Sequence, residues 1–244
     1  MNMLKVRGVR HSFGALVALN GVDLDVRAGQ FHGLIGPNGS GKSTLLKCLA
    51  GAFTPDSGTV SLLGRDITSA TPYERSRAGL SIKFQITSIL PQLSVYDNML
   101  LAFQAGDGIP AQIFSRSRRH LRGRIMAMLH RYRLASREND LAGELSHGQQ
   151  QWLEIAMAVS REPKVLLLDE PTAGMSPQER RATGELLLAA KDECPLLIVE
   201  HDLDFIRDIC ESLTVLDQGK VVATGPLHEV QANRRVREAY LKHA

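Results

Sequence analysis

The chain has 244 residues, a net charge of +3, a hydrophobic fraction of 43% and a mean hydropathy of −0.10. This length suits one large α/β domain, or one domain with a subdomain, and the charge is too small to argue for a nucleic-acid partner. No apolar run approaches the roughly 20 residues of a transmembrane helix, and the N-terminus lacks the apolar core of a signal peptide. We therefore expect a cytosolic protein whose three widely spaced cysteines are reduced packing residues.

Two stretches near the N-terminus alternate apolar and polar residues, as half-exposed antiparallel strands do. The apolar positions are Leu4, Val6 and Val9 in the first stretch and Val22, Leu24 and Val26 in the second. Phe13 lies between them, on what we predict to be a loop. From its residue type alone, packing in the core is the favoured role for this ring.

A phosphate-binding loop is the clearest motif, because residues 36–44 fit the pattern G-x-x-x-x-G-K-[ST] at every fixed position. Its members are Gly36, Pro37, Asn38, Gly39, Ser40, Gly41, Lys42, Ser43 and Thr44. The glycines let the backbone turn tightly and point N–H groups at an anion, while a following helix adds its positive end. Lys42 adds a full charge at the β- and γ-phosphates, and the Ser43 hydroxyl suits Mg²⁺. Because a strand predicted at 30–35 precedes the loop and a predicted helix follows it, a chance match is the minor alternative.

Residues 86–160 break the strand pattern and predict a helical insertion. A strand at 79–84 precedes the insertion and ends at Gln85. Helical spacing appears at 95–103 and again from Leu121 to Tyr132. The second helix is rich in arginine, which can indicate binding of nucleic acid or anionic lipid. A solvated face of an amphipathic helix is the favoured interpretation, since no aromatic platform accompanies the arginines.

Two buried strand patterns in the second half of the chain are followed by ionisable residues. The run 165–168 is of the parallel-sheet type, and Asp169 and Glu170 come directly after it. Because strand ends of an open parallel sheet meet at the ligand crevice, Asp169 is placed to hold Mg²⁺ and Glu170 to deprotonate an attacking water. The second run, 196–199, precedes His201. We also predict a helix at 177–190, a hairpin at 214–223 and a helix at 233–242.

A second helix start suited to an anion is predicted at 145–149, with the sequence Leu-Ser-His-Gly-Gln. Ser146 stands where an N-cap would stand, and Gly148 allows a close approach of the backbone. An ordinary capped helix is the alternative, and capping chemistry alone does not exclude it. Two different phosphate-binding features in one chain are explained by a site shared between two copies.

In their order, these motifs resemble those of the ATP-binding subunit of ABC transporters, over almost the whole chain. The motifs are Phe13, residues 36–44, Gln85, residues 145–149, residues 165–170 and His201. The resemblance implies that Phe13 stacks on adenine and that Gln85 reaches Mg²⁺ and the attacking water. It also implies that His201 contacts the γ-phosphate, which makes Glu170, His201 and Gln85 the expected catalytic residues.

The resemblance further implies the fold, the domain plan and the cofactors. We expect an α/β P-loop NTPase fold of the ABC type, with a mixed-sheet core, an N-terminal antiparallel β part and a helical subdomain. One ATP-binding domain then spans 1–244, with its core at 1–85 and 161–244 and the helical subdomain at about 86–160. ATP and Mg²⁺ are the expected cofactors, with Ser43, Gln85 and Asp169 around the metal.

The expected partners also follow from the resemblance. They are transmembrane permease subunits and a second ATP-binding subunit, identical or different, with a substrate-binding protein acting indirectly and no nucleic acid. Ser146, Gly148 and Gln149 are implied to meet the γ-phosphate held by the second subunit. The expected location is cytoplasmic, peripheral on the cytoplasmic face of the cell (inner) membrane.

An apolar segment just after Gln85 is the expected docking site for a short permease helix. Its apolar members are Ile86, Ile89, Leu90, Leu93 and Val95. At least half of them should pack internally. We expect the remainder to line a groove held by a few apolar anchors.

Two departures from the usual family motifs leave the communication between sites open. His147 occupies the third position of the usual Leu-Ser-Gly-Gly-Gln, and Ser176 stands where many members have Asp. The wider motif around His147, with Lys83-Phe84-Gln85 and Val199-Glu200-His201-Asp202, is similar to the subfamily that imports branched-chain amino acids, urea and short amides. The alternatives are a motor for lipid or lipopolysaccharide export and a soluble ABC ATPase outside transport.

Overall fold

The computed structural model describes residues 1–83, 89–105, 117–191 and 193–241. These residues form ten strands in two sheets, with helices packed between and around them, and this confirms the expected mixed α/β architecture. The strands are β1 (Asn2–Phe13), β2 (Leu16–Arg27), β3 (Phe31–Ile35), β4 (Ser57–Leu62), β5 (Arg65–Asp66), β6 (Leu80–Lys83), β7 (Val165–Asp169), β8 (Leu196–Val199), β9 (Ser212–Asp217) and β10 (Lys220–Pro226).

The two sheets differ in strand direction and in burial. The smaller sheet has the order β2-β1-β4-β5 and is antiparallel throughout. The larger sheet has the order β10-β9-β3-β8-β7-β6, and its strands are parallel apart from the β9–β10 hairpin. Every residue of β3, β7 and β8 is buried, as expected for strands covered on both faces.

The structure describes nine α-helices, several of which begin at a residue that caps them. They are α1 (Lys42–Ala50), α2 (Pro72–Ala78), α3 (Val95–Gln104), α4 (Ser117–Arg131), α5 (His147–Val159), α6 (Pro177–Ala189), α7 (Leu203–Ile209), α8 (Leu227–Ala232) and α9 (Arg234–Leu241). Thr71, Ser146 and Ser176 each close a capping box at the start of α2, α5 and α6. None of the described helices is long and apolar enough to cross a membrane.

The hydrophobic core has two parts, one on each face of the larger sheet. Leu166 and Leu168 of β7 face a cluster with the helices α3 to α7, whereas Val165 and Leu167 face a cluster with α1 and the smaller sheet. This alternation is the two-residue period of a strand. All three cysteines lie buried within these clusters, and burial raises the pKa of Cys48 and of Cys194 to about 11, as suits packing residues.

Three parallel strands end at one edge of the larger sheet and fix the place of the candidate site. β3 ends at Ile35 and β8 at Val199, as predicted, while β7 runs one residue further than predicted, to Asp169. Because β8 pairs with both β3 and β7 in parallel, the residues that follow these strands emerge side by side.

One position in the N-terminal hairpin differs from the prediction. Phe13 is the last residue of β1, paired with Leu16, and does not lie on a loop. The turn to β2 therefore needs only Gly14 and Ala15, and Gly14 adopts a left-handed conformation with a φ of 59°. The prediction had assigned too long a connection.

The regular elements that the structure describes between β6 and β7 are helices joined by turns and loops, apart from one bridge between Ser94 and Leu141. It contains α3, α4 and α5, together with the 3-10 turns Ala135–Arg137 and Ala142–Glu144. The division of the chain into a core and a helical subdomain remains a prediction.

Candidate active site

The phosphate-binding loop joins β3 to α1, and two of its glycines leave no room for a side chain. A Cβ atom on Gly36 would lie 2.1 Å from the backbone oxygen of Leu216. A Cβ on Gly41 would lie 2.7 Å from the backbone oxygen of Ala18, and Gly41 has a φ of 105°. The loop is thus pressed against β2 and β9, and its shape requires glycine at both positions.

The start of α1 leaves its N–H groups available for an anion. Gly41 is the N-cap and supplies no side-chain hydrogen bond, and the first turn, all of which is described, has no acidic residue. The Lys42 ammonium donates hydrogen bonds to the backbone oxygens of Gly36 at 2.7 Å and Pro37 at 3.0 Å. Burial lowers the pKa of Lys42, and the Glu170 and Asp169 carboxylates oppose that change. An incoming phosphate would meet these N–H groups and this ammonium.

Asp169 ends β7 and is 9% exposed. Burial raises the pKa of its carboxyl, the adjacent Glu170 carboxylate raises it further, and Lys83 and Lys42 act in the opposite direction. Lys42 and Asp169 therefore face the same crevice, which is the arrangement that the strand order predicts. The Ser43 side chain, one residue after Lys42, is exposed.

Glu170 has an unusual backbone conformation that aims its side chain at the crevice edge. Its φ is 47°, in the left-handed region that a side chain disfavours, and its N–H donates to Val199 at 2.9 Å. Such a conformation costs about 1–3 kcal/mol and persists only where the surrounding structure holds it. The Glu170 carboxylate lies 3.9 Å from Nδ1 of His201, whose side chain is 67% exposed. The ends of β7 and β8 thus bring together the expected base, Glu170, and the histidine expected to contact the γ-phosphate, His201.

Phe13 presents a half-exposed ring at the end of the β1–β2 hairpin. Its ring is 46% exposed and packs edge-on against His11 at 4.8 Å and Phe53 at 5.4 Å between centroids. The ring is therefore not a core residue, and its open side is available to a flat ligand such as a nucleobase.

The start of α5 confirms the predicted cap at Ser146. The Ser146 hydroxyl accepts from the N–H of Gln149 at 3.3 Å, and the Gln149 side chain accepts from the N–H of Ser146 at 3.1 Å. A Cβ on Gly148 would lie 2.6 Å from a carboxylate oxygen of Glu179 in α6. A carboxylate of the same chain therefore already lies against this helix start.

The two departures from the family motifs lie next to each other. Nε2 of His147 is 3.1 Å from the backbone oxygen of Ala173, in the loop that leads to Ser176. Ser176 caps α6 and donates through both its N–H and its hydroxyl to Glu179. These bonds lower the pKa of Glu179, and Ser146 and His147 add to the effect. Residues 146–148 and 173–179 are thus joined within one subunit.

Gln85 lies outside the described residues, so its place at the metal remains a prediction.

The described arginines in the basic helix and at its C-terminal end form ion pairs with glutamates, which supports the solvated-face interpretation. The pairs are Arg122 with Glu138, Arg124 with Glu162, Arg131 with Glu193 and Arg133 with Glu185.

The apolar segment after Gln85 divides between core and surface. Ile89 and Val95 are buried, Leu93 is half-buried and Leu90 is 47% exposed, while Ile86 lies outside the described residues. Asn98 is buried. Its side-chain oxygen accepts a hydrogen bond from the Leu90 N–H, and its side-chain amide donates one to the Leu90 backbone oxygen. The exposed Leu90 side chain thus stands on a fixed backbone.

A cavity of about 430 Å³ was not predicted. It lies where α1, α2, α3, α5 and β6 meet. Its apolar lining includes Ala50, Ala52, Leu101, Ala105 and Met157, and Leu101 is 44% exposed. We call this the apolar cleft. An exposed leucine on the polar side of a predicted helix was the signal in the sequence.

Sequence reasoning also passed over two carboxylates. Glu200 is fully buried beside His201, and Glu179 lies against Gly148. The signal for Glu200 was an acidic residue directly after a buried strand. The signal for Glu179 was its place three residues after Ser176, the spacing of a capping box.

Comparison with known proteins agrees with this geometry. A family model described as "ABC transporter" matches residues 19–173, and one described as "Branched-chain amino acid ATP-binding cassette transporter" matches residues 220–241. The chain is 33% identical over 251 residues to the high-affinity branched-chain amino acid transport ATP-binding protein LivG of Salmonella typhimurium, covering 99% of this chain and 98% of LivG. It is 34% identical to the ribose import ATP-binding protein RbsA 1 of Burkholderia thailandensis, but covers 48% of that protein.

Solved structures resemble the whole fold. The ADP conformation of MJ1267, an ATP-binding cassette of an ABC transporter, has a TM-score of 0.87 and 31% identity, with 99% of each chain covered. The dimeric structure of MJ0796, a bacterial ABC transporter cassette, has a TM-score of 0.81 and 26% identity, covering 92% of this chain and 99% of that one.

Proposed function

The chain belongs to the ABC transporter family of ATP-binding subunits, and from that premise we propose that it powers import of branched-chain amino acids, urea or related small amides. As a member of the family it is an ATP hydrolase coupled to transmembrane transport. The observation that carries the substrate proposal is the similarity to LivG along nearly the full length of both chains. The match at residues 220–241 to a branched-chain amino acid cassette model supports it from a separate part of the chain.

Binding of the nucleotide is the first step that we assign to these residues. Residues 36–44 hold the β- and γ-phosphates through backbone N–H groups, and Lys42 leaves the carbonyl oxygens of its own loop to meet them. Phe13 stacks on the adenine with the open side of its ring. The strength of this binding therefore depends on Lys42 more than on any other single side chain.

The crevice also fits a magnesium ion. Asp169 is a carboxylate that burial disfavours in its charged form, so a bound cation would compensate for the water that it has lost. The Ser43 hydroxyl supplies a second hard oxygen, and Gln85 is a proposed third ligand. When bound, Mg²⁺ neutralises charge on the phosphate oxygens.

Hydrolysis is assigned to the residues that follow β7 and β8. Glu170 accepts the proton of the attacking water, and His201, whose Nδ1 lies 3.9 Å from the Glu170 carboxylate, contacts the γ-phosphate. ATP-binding cassettes of this family form dimers, so Ser146, Gly148 and Gln149 of a second subunit complete the phosphate site. The dimer closes on ATP and reopens after hydrolysis, and the membrane subunits follow this motion.

The test of the substrate is transport by the assembled complex. The chain should be co-expressed with the permease subunits and binding protein encoded beside its gene, and purified into vesicles. We expect ATP-dependent uptake of leucine, urea or acetamide, and no uptake with a Lys42→Ala subunit. Uptake of ribose alone, or export of lipid, would contradict the proposed substrate class. An absence of ATPase activity in the wild-type complex would contradict the role as an ATP hydrolase.

We also propose that a short helix of a permease subunit docks at Leu90 and in the apolar cleft, and that this holds the chain at the cytoplasmic face of the cell membrane. Cassettes of this family work with transmembrane permeases. The cleft lies between the sheet and the helical segment, and its small residues leave room for a helix with apolar anchors. Movement of the nearby β6 would move the cleft with it.

Charging this surface should separate the subunit from its membrane partners. Leu90→Glu and Leu101→Glu place a charge where an apolar anchor must bind, so we expect loss of co-purification with the permease and loss of uptake. ATP binding by the isolated subunit should remain, because both side chains are already exposed. Leu188→Glu is the matched control, since Leu188 is 41% exposed and lies on α6 outside the cleft.

One result would reduce this docking surface, and another would overturn it. If Leu90→Glu is insoluble, Leu90 belongs to the core and the surface rests on Leu101. If both charged variants remain soluble and transport at the wild-type rate, the permease binds elsewhere.

A further inference from the structure

Glu200 is a buried carboxylate that joins the two segments of the candidate active site. It follows β8 directly, and its side chain is 0% exposed. One oxygen accepts hydrogen bonds from the N–H of Thr172 at 3.0 Å and from the Thr172 hydroxyl at 2.6 Å. The other oxygen accepts from the N–H of His201 at 3.2 Å. Both oxygens thus have partners, as a buried charge requires.

The Thr172 end of this link lies two residues beyond Glu170. The strained backbone of Glu170, with its φ of 47°, is held to β8 by the hydrogen bond from its N–H to the backbone oxygen of Val199. The Glu200–Thr172 bonds tie the same segment to β8 a second time. A disfavoured conformation persists only where its surroundings determine it, and both of these contacts contribute to that.

The other end of the link is His201, the histidine expected to contact the γ-phosphate. Nδ1 of His201 lies 3.7 Å from a Glu200 oxygen and 3.9 Å from a Glu170 oxygen. Both separations are longer than a hydrogen bond, and the imidazole is 67% exposed. The backbone of His201 is fixed, however, by its bond to Glu200.

We propose that Glu200 is a positioning residue for ATP hydrolysis. It holds the segment after Glu170 and the start of the segment at His201 in one arrangement, so that the base and the histidine address the same γ-phosphate. Glu200 does not touch the reacting atoms, because it is fully buried. The proposal rests on the roles of Glu170 and His201 given above.

Substitutions at both ends of the link test this role. Glu200→Gln keeps the size and an acceptor for Thr172 but turns an amide donor toward the His201 N–H. Thr172→Val removes only the hydroxyl bond. We expect Glu200→Gln to lower kcat about 10- to 100-fold, as small displacements of catalytic groups do, with KM for ATP within about threefold of wild type. Thr172→Val should also lower kcat, but by a smaller factor.

A double substitution distinguishes positioning from general damage. If Glu200 acts through Glu170, adding Glu200→Gln to Glu170→Gln should change the residual rate by less than about threefold, because the base is already absent. Leu187→Ala is the control for lost stability, since Leu187 is a fully buried core residue away from the site. It should lower Tm without lowering kcat at temperatures where the protein stays folded.

The outcomes separate this proposal from the function on which it rests. Wild-type kcat in both Glu200→Gln and Thr172→Val would overturn the proposal, as would an undiminished effect of Glu200→Gln in the Glu170→Gln background. A wild-type rate in Glu170→Gln alone would instead overturn the assignment of the base. A fall in kcat at constant KM that disappears in the double variant supports the positioning role.

Discussion

Glu170→Gln should bind ATP with wild-type affinity and hydrolyse it about 10²- to 10⁴-fold more slowly. Glutamine keeps the size and the hydrogen bonding of glutamate but cannot accept the proton of the attacking water, and general-base assistance is typically worth that factor. The left-handed backbone of Glu170 is unchanged by the substitution, so the side chain should still point into the crevice.

Single-turnover hydrolysis and equilibrium nucleotide binding, measured on the same preparation, check this expectation. Glu185→Gln is a suitable control, because Glu185 is an exposed glutamate of α6 that pairs with Arg133 far from the phosphates. A variant that hydrolyses ATP at the wild-type rate would show that Glu170 is not the base.

Gly148→Asp should prevent the subunits from closing on ATP while leaving each subunit able to bind it. In the proposed dimer the new carboxylate would meet the γ-phosphate held by the second subunit. Two unit charges 4 Å apart repel by about 4 kcal/mol at an effective dielectric constant of 20, and by less where water enters. Steady-state ATPase activity should fall by two orders of magnitude or more, and nucleotide affinity of the monomer should change little.

The structure adds one condition to this test. A side chain at position 148 must also displace Glu179, whose carboxylate lies 2.6 Å from the new Cβ. Ser146→Ala is therefore a useful second variant, because it removes a hydroxyl from the same helix start without adding bulk, at a capping cost of about 1 kcal/mol. Gly123→Asp adds the same charge to an open position on α4 and should have no effect. Full activity in Gly148→Asp would show that this loop takes no part in the site.

The parts of the fold and site that follow from local pattern were predictable from the sequence. Residues 36–44 specify their own conformation, because Gly36 and Gly41 are the residues that the tight loop requires. The strand β8 and the first four residues of β7 are continuous apolar runs, and the parallel order of these strands places Asp169 and His201 at one edge. The positions of these residues can be predicted without knowing which residues far apart in the sequence are in contact.

Contacts between segments far apart in sequence were not predictable in this way. Nothing local to Glu200 shows that its carboxylate accepts from Thr172, 28 positions earlier. Nothing local to Gly148 shows that Glu179 covers it. Phe13 was placed on a loop because the sequence does not show how short the turn at Gly14 is. Such features depend on packing and become visible only in the folded chain.

The molecular mass of Glu170→Gln in the presence of Mg²⁺ and ATP is the most direct test of a phosphate site shared between two subunits. Light scattering after gel filtration measures it without reference to transport. We predict that the 26.8 kDa chain doubles in mass with ATP, and that adding Gly148→Asp returns it to the monomer while ATP still binds. A dimer of unchanged amount in the Glu170→Gln, Gly148→Asp protein would contradict the shared site.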